Sequence, residues 1–263
     1  MKSQGIFTFI RSLKRLLAGK PNIPASLQDN PLLQKILQRR SVRSFQDKDI
    51  PEDYFAAILE AARLAPSAVN LQPWSFVIFD RATWQGTFER KIPFNAARAV
   101  IVIADTYRVK QVLNVFPYSP LVEYTLGVMN ASLAAMNMNI AAEALGIASV
   151  MLSETGRSGF LDASYLKEKL RLPQETMPLM SIVFGYAKGS YLPMPPKLPS
   201  EMIFFSKQYP LPNQEQMQDW LEQMVAGYKA SYPLSSFDKQ LAIYQNKIAQ
   251  AEAELTKTIF YHS

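Results

Sequence analysis

The 263-residue chain contains no cysteine. That excludes disulfides, thiolate nucleophiles, iron–sulfur clusters and cysteine zinc sites together. Its single histidine is His262, so an internal Ser-His-Asp triad and a His-ligated metal site are excluded as well, and no metal is expected. Glycine is scarce, at 10 residues. Neither Gly-x-Gly-x-x-Gly nor Gly-x4-Gly-Lys-Ser/Thr occurs, which argues against a dinucleotide fingerprint and a P-loop. No run approaches 18 uninterrupted apolar residues, so no transmembrane span is expected. Without thiols, side chains do poor two-electron chemistry. A redox activity in this chain would need a bound cofactor to carry the electrons.

The chain is 48% hydrophobic and 19% charged, the composition of a folded globular protein. Its net charge of +6 is unevenly placed. Lys2, Arg11, Lys14, Arg15 and Lys20 supply five positive charges in the first twenty residues, and the remainder carries 23 basic and 22 acidic residues. The basic character belongs to a tail and not to a folded face, so no nucleic-acid partner is expected. The tail also carries an apolar stripe of Ile6, Phe7, Phe9, Ile10, Leu13, Leu16 and Leu17. Arg11, Lys14 and Arg15 interrupt it, and no small-residue cleavage site follows, which argues against a secretory signal. Two readings stand: a helix packed on the body or on a partner subunit, which is favoured, and peripheral membrane contact through residues 1–20. A soluble cytoplasmic protein is expected.

Periodicity gives a coarse element map. Pro31 opens a short helix over 32–38, and Pro51 a second with its stripe at Phe55, Ile58, Leu59 and Ala62. Residues 74–79 read as a strand, 83–90 as a helix, and the run Ala99–Ala104 as a buried strand. An aromatic-rich loop over 107–120 carries Tyr107, Phe116 and Tyr118; long loops of this kind often line ligand sites. Residues 123–145 form the longest helix, with Gly146 as its stop. It is apolar around most of its circumference, so it is expected to be buried nearly all round, at the centre of a dimer. Asn130-Ala131-Ser132 fits a glycosylation sequon that is incidental in such a helix. Strands follow at 147–152 and 179–185, giving helix–strand–strand–helix–strand–strand, an α+β sheet layered with helices. Ser164-Tyr165-Leu166-Lys167 reads as a helix surface. Helices over 214–228 and 237–255 complete the chain. The expected segments are 1–30 (basic helix and linker), 31–206 (body) and 207–263 (helical extension).

Two segments carry the chemistry. Arg39-Arg40-Ser41-Val42-Arg43-Ser44-Phe45 packs three guanidinium groups and two hydroxyls into six residues. Guanidinium holds phosphate through paired, charge-assisted hydrogen bonds. Pro66-Ser67-Ala68-Val69-Asn70-Leu71-Gln72-Pro73-Trp74 puts a hydroxyl and two carboxamides on a loop before a strand. Amides both donate and accept, which suits a heterocycle with alternating N–H and C=O edges. The helix and strand between and after them are expected to bring both segments to one pocket for a phosphorylated ring cofactor.

Arg-Arg-Ser-x-Arg-x-Phe, followed about twenty residues later by Pro-Ser-x-x-Asn-x-Gln-Pro-Trp, resembles the nitroreductase family of FMN-dependent oxidoreductases. The resemblance covers roughly residues 31–205. It implies a nitroreductase-like sheet flanked by helices in an intertwined homodimer, with FMN held between two chains. It implies that Arg39, Ser41 and Arg43, with Arg40 contributing less, bind the phosphate and ribityl chain, Arg43 also reaching toward the pyrimidine edge. Pro66, Ser67 and Asn70 would line the flavin from the partner subunit. Gln72 would set the loop and Trp74 would be core. Leu152, Ser153 and Glu154 resemble the strand end that lies against the isoalloxazine, and Lys197 the late basic position that closes on the phosphate. The chain departs from the family in Ser153-Glu154-Thr155, where a Gly-rich strand end is common, and in Gly185-Tyr186-Ala187, where Gly-Tyr-Pro is common. The implied activity passes electrons from NADH or NADPH through flavin N5 to a nitroaromatic, a quinone or a similar small acceptor, with no protein acid or base required and with Phe116 and Tyr118 as lid residues of the substrate pocket. Two alternatives are a specialised flavoenzyme on the same fold, such as a reductive dehalogenase or a dehydrogenase of a peptide ring, and a flavin-binding regulatory protein with little turnover.

Overall fold

A computed structural model describes residues 7, 9–14, 21, 23–152, 163–191 and 194–260. The chain forms two compact units. One comprises 25–191 and 247–263, the other 1–24 and 192–246. These units are not contiguous in sequence, so they differ from the linear segments 1–30, 31–206 and 207–263. The reason lies in the last helix, whose Leu255 and Ile259 pack against the main hydrophobic core and so belong to the body.

The body is an antiparallel sheet between two helical layers. Its elements are α1 (Pro31–Gln38), α2 (Glu52–Arg63), β1 (Trp74–Phe79), α3 (Arg81–Phe88), β2 (Arg98–Asp105), α4 (Tyr107–Lys110), α5 (Pro120–Ala144), β3 (Ala148–Leu152), α6 (Ala163–Leu170) and β4 (Thr176–Gly185). The strands run in the order β1-β2-β4-β3. Every neighbouring pair is antiparallel, with Trp74 opposite Ala104, Ala104 opposite Met177 and Ser149 opposite Phe184. β2 is apolar throughout because both its faces are covered. Val100, Val102 and Ala104 join one core with Phe55, Ile58, Ala134 and Met138 from α2 and α5. Ala99, Ile101 and Ile103 join a second with Phe79, Trp84, Phe88 and Leu166.

Local chemistry explains the boundaries. Asn30 caps α1 by accepting from the Leu33 N–H at 3.0 Å. α3 begins at Arg81, two residues before the periodicity places it. Asp80 and Thr83 form a capping box there, with the Thr83 N–H donating to Asp80 at 2.7 Å. That bond holds the Asp80 carboxyl below its ordinary range. α5 ends where Gly146 takes φ +73°, in the left-handed region that glycine adopts without strain. Gly127 in α5 lies so close to β2 that a Cβ there would meet the Cβ of Ala104 at 2.7 Å.

Within one chain the long helix is not buried all round. Its Ala131, Ala134, Ala135 and Met138 face the core, but Val122, Met129, Leu133 and Met136 are exposed. One helix cannot be surrounded by a sheet that has only one face to offer it. The Ser-x-x-Lys segment is not a simple surface. Leu166 is buried, and Lys167 Nζ donates to the carbonyls of Pro173, Gln174 and Thr176 at 3.0, 2.7 and 2.9 Å. Burial pulls the Lys167 ammonium down to about 8.

In the second unit, α7 (Gln214–Ser231) is capped by Asn213, and α8 (Phe237–Ile259) begins there and ends in the body. Residues 9–14 are helical. Ser12 is 1% exposed, and Arg11 pairs with Glu222 of α7 at 3.6 Å. Among the described residues no helix is long and apolar enough to cross a membrane.

Candidate functional site

The basic segment forms a strap along the free edge of β3. α1 ends at Arg39, and the chain turns extended. Ser41 makes a parallel bridge with Ser149, the Val42 N–H donating to the Ser149 carbonyl at 3.1 Å. Phe45 bridges Ala187 in the opposite sense, with the Gln46 N–H donating to Tyr186 and the Lys188 N–H to Ser44. Gly185 makes room for that crossing, since a Cβ there would stand 2.9 Å from the Phe45 ring. Ala187 donates nothing to this bridge, so a proline at that position would lose no bond of it.

Between these two anchors the strap presents its polar side chains. Ser41 and Arg43 are exposed and Arg39 is half-buried. Among the described residues neither Arg39 nor Arg43 forms a salt bridge with a carboxylate. Arg40 is turned the other way. Its Nη1 donates to the carbonyls of Leu37 and Arg39 at 2.8 and 2.9 Å, and its buried Nε has no partner among the described residues. It closes the end of α1 and is not presented to an anion through those atoms. Beneath the strap, Ser149 Oγ donates to Asn139 Oδ1 at 2.5 Å, and the Tyr191 hydroxyl donates to the buried Glu143 at 3.0 Å. Burial, then the Glu143 charge, pushes the Tyr191 hydroxyl up to about 12, so Tyr191 stays a donor.

The amide loop is built differently. Val69, Asn70 and Gln72 all have positive φ, at 49°, 57° and 50°. Asn tolerates that region, but a β-branched valine does not. Each such residue costs on the order of 1–3 kcal/mol and persists only where its surroundings over-determine it. Here they do. The Asn70 and Leu71 N–H groups donate to Ser67 and Ala68, and the Gln72 N–H to Ser67 Oγ at 3.0 Å. The Ala68 N–H donates to Asn130 Oδ1 at 2.8 Å. Arg108 donates to the carbonyls of Gln72 and Trp74. Pro66 and Asn70 are exposed, Ser67 is partly buried, and Trp74 is core, as expected.

Strap and loop do not meet within one chain. The strap lies beside Ser149 on the β3 edge, and the loop runs into Trp74 on the β1 edge. Their levels on the sheet are those of Phe184 and Met177, seven residues apart. They therefore occupy diagonally opposite corners, about 20 Å apart along the strands and about 14 Å across them. A pocket holding both would need two chains, as the family resemblance implied. α2, the 12-residue helix between them, is itself about 18 Å long and carries the chain across the sheet.

The other expected residues scatter. Leu152 ends β3, three residues beyond the strap's contact at Ser149. Ser153 and Glu154 lie outside the described residues. Lys197 lies in the second unit, where it lines a mixed-charge cleft with Arg11, Glu215, Asp219 and Glu222. In the aromatic loop Phe116 is buried and Tyr118 exposed. Sequence reasoning did not expect Arg108 or Asn130 to hold this loop, and it read Asn130 only as part of an incidental sequon. Asn130 had a signal, since an amide on an apolar helix face needs a partner; Arg108 had none.

A model of the nitroreductase family matches residues 36–186. A protein of Archaeoglobus fulgidus named "Putative NADH dehydrogenase/NAD(P)H nitroreductase" is 35% identical over 162 residues, 59% of this chain and 85% of that relative. The oxygen-insensitive NADPH nitroreductase of Salmonella typhimurium is 26% identical, over 76% of this chain and 83% of its own. Among solved structures, B. megaterium NfrA2 aligns with a TM-score of 0.72 at 21% identity, covering 88% of this chain and 98% of its own. An NADPH:FMN oxidoreductase from Vibrio harveyi complexed with NAD+ aligns at 0.68 and 19% identity, covering 86% and 98%. These two likenesses speak for the fold.

Proposed function

Since the chain belongs to the nitroreductase family, we propose that it is a cytoplasmic FMN-dependent oxidoreductase that uses NADH or NADPH to reduce a nitroaromatic, a quinone or a similar small acceptor. The observation that carries this reading is the pair of cations, Arg39 and Arg43, which form no salt bridge among the described residues and are presented on a strap that backbone bonds hold at both ends. Such a pair suits a phosphate dianion. Ser41 adds a hydroxyl beside it, and Leu152, three residues along β3 from the strap's contact at Ser149, would stand against the ring.

Bound FMN would supply the redox chemistry, accepting a hydride from the nicotinamide and passing electrons on from N5. The chain's own residues bind and orient. Arg39, Ser41 and Arg43 hold the phosphate and ribityl end. Arg43 adds positive charge toward the pyrimidine edge, which favours added electrons. Asn70 and Ser67 offer amide and hydroxyl groups to the ring edge. Because strap and loop sit at opposite corners of one sheet, a complete site takes its loop from a second copy. The exposed face of α5, with Val122, Met129, Leu133 and Met136, is the surface that would bring the copies together.

The test is a purified protein and its visible spectrum. The reading expects a yellow protein whose acid-released flavin is FMN, and NAD(P)H oxidation that speeds up with menadione or a nitrofuran. FAD, or no flavin after reconstitution, would reject it. FMN without turnover would leave the regulatory reading.

A further inference from the structure

We propose that Arg108 and Asn130 are positioning residues: from two sides they hold the strained loop over 66–72 in the conformation that presents Asn70 to the flavin ring. The inference rests on the FMN reading above and adds two residues to it. Neither lies on the loop, and each reaches it from a different element.

Three observations converge. First, the loop holds three non-glycine residues at positive φ, and the costliest of them, Val69, is 92% exposed. No packing of that side chain within the chain explains the conformation. Second, Asn130 is buried at 4% in the middle of an apolar helix. Its Nδ2 donates to the Leu126 carbonyl at 2.6 Å, which leaves Oδ1 fixed to accept from the Ala68 N–H, one residue before Val69. Third, Arg108 is itself held. Buried Asp105 accepts from the Arg108 backbone N–H at 3.3 Å and from its Nε at 2.8 Å, and also accepts from Ser75 Oγ. That leaves Nη2 aimed at the carbonyls of Gln72 and Trp74, which close the other end of the loop. Val69 is thus caught between a brace at Ala68 and a clamp at Gln72. A buried side chain could stabilise the loop without these bonds only by packing on its tip, and the tip faces outward.

The test uses full-length protein, with flavin removed and titrated back. Wild type must first bind FMN; failure at that step rejects the functional reading and not this one. Given binding, Asn130→Ala and Arg108→Met should each weaken FMN about tenfold, the effect of losing one positioning hydrogen bond. The surface control Arg63→Ala should bind as wild type does. If the loop touches the ring unequally in its two redox states, the midpoint potential moves too, by about 30 mV for each tenfold of differential loss. Arg108 is largely exposed, but Arg108→Met takes the cation from buried Asp105, so it is also made with Asp105→Asn, which removes the unpaired charge and should give a folded protein with the same tenfold loss. Wild-type affinity and potential in Arg108→Met would overturn the proposal.

Discussion

The strap at the β3 edge and the loop at the β1 edge are both short stretches of irregular backbone, yet they are held in opposite ways. The strap has ordinary backbone angles and is tied down by strand-like bonds to Ser149 and Tyr186. What it contributes is charge, in Arg39 and Arg43. The loop carries no charge between Pro66 and Trp74. What it contributes is shape, kept against strain by side chains from α4 and α5. Charge acts over several ångströms and tolerates small displacements, so a bridge at each end is sufficient. An amide matched to a ring edge works only within hydrogen-bond geometry, so its backbone must be fixed atom by atom.

That contrast can be broken by experiment. The largest effect belongs to the charges. Arg39→Ala with Arg43→Ala should weaken FMN binding at least about a hundredfold, since each charge-assisted contact contributes about 1.5–3 kcal/mol. Titration of apoprotein by flavin fluorescence reads this directly, and unchanged affinity would empty the strap of its role. The next experiment separates the corners. A chain carrying Arg39→Ala and Arg43→Ala is co-expressed with one carrying Ser67→Ala and Asn70→Ala under a second tag. If each site takes its strap and loop from different chains, the purified heterodimer keeps one intact site in two and binds about half the wild-type flavin. If one chain supplies both, neither site survives. The smallest effect sharpens the claim of strain. Val69→Asn puts a residue tolerant of positive φ at an exposed position, and should raise the melting temperature of the apoprotein by about 2–4 °C, corresponding to roughly 1 kcal/mol. A lower melting temperature would mean that the angle at Val69 stores nothing.

The sequence was most legible where period and composition decide. All four strands were expected within a few residues of where they lie, because β2 and β4 are apolar runs and β1 and β3 adjoin clear stops. Caps were less legible, and the start of α3 was missed because Asp80 acts through its partner Thr83. The site was half legible. Its residue types were visible as motifs, and the resemblance set the loop on the partner subunit, but the positions of the two segments on the sheet were not visible. The outward face of α5 was visible only as an excess of apolar residues, since sequence shows that a helix wants burial and not what buries it. Arg108 was out of reach because nothing near it in the chain marks the carbonyls it finds.

One close contact has a wider consequence. At Gly127, α5 rests on Ala104 with no clearance, and any side chain there would have to lift the helix by about 1 Å to reach an ordinary separation. Asn130, which braces the loop, is one turn away, and the exposed face begins on the neighbouring turns. A single missing methyl therefore sets the tolerance for two alignments at once: the loop against its own sheet and, in the proposed dimer, one copy against another. Variation in the strap or the loop would retune what is held. Variation at this crossing would change whether the two half-sites still come into register.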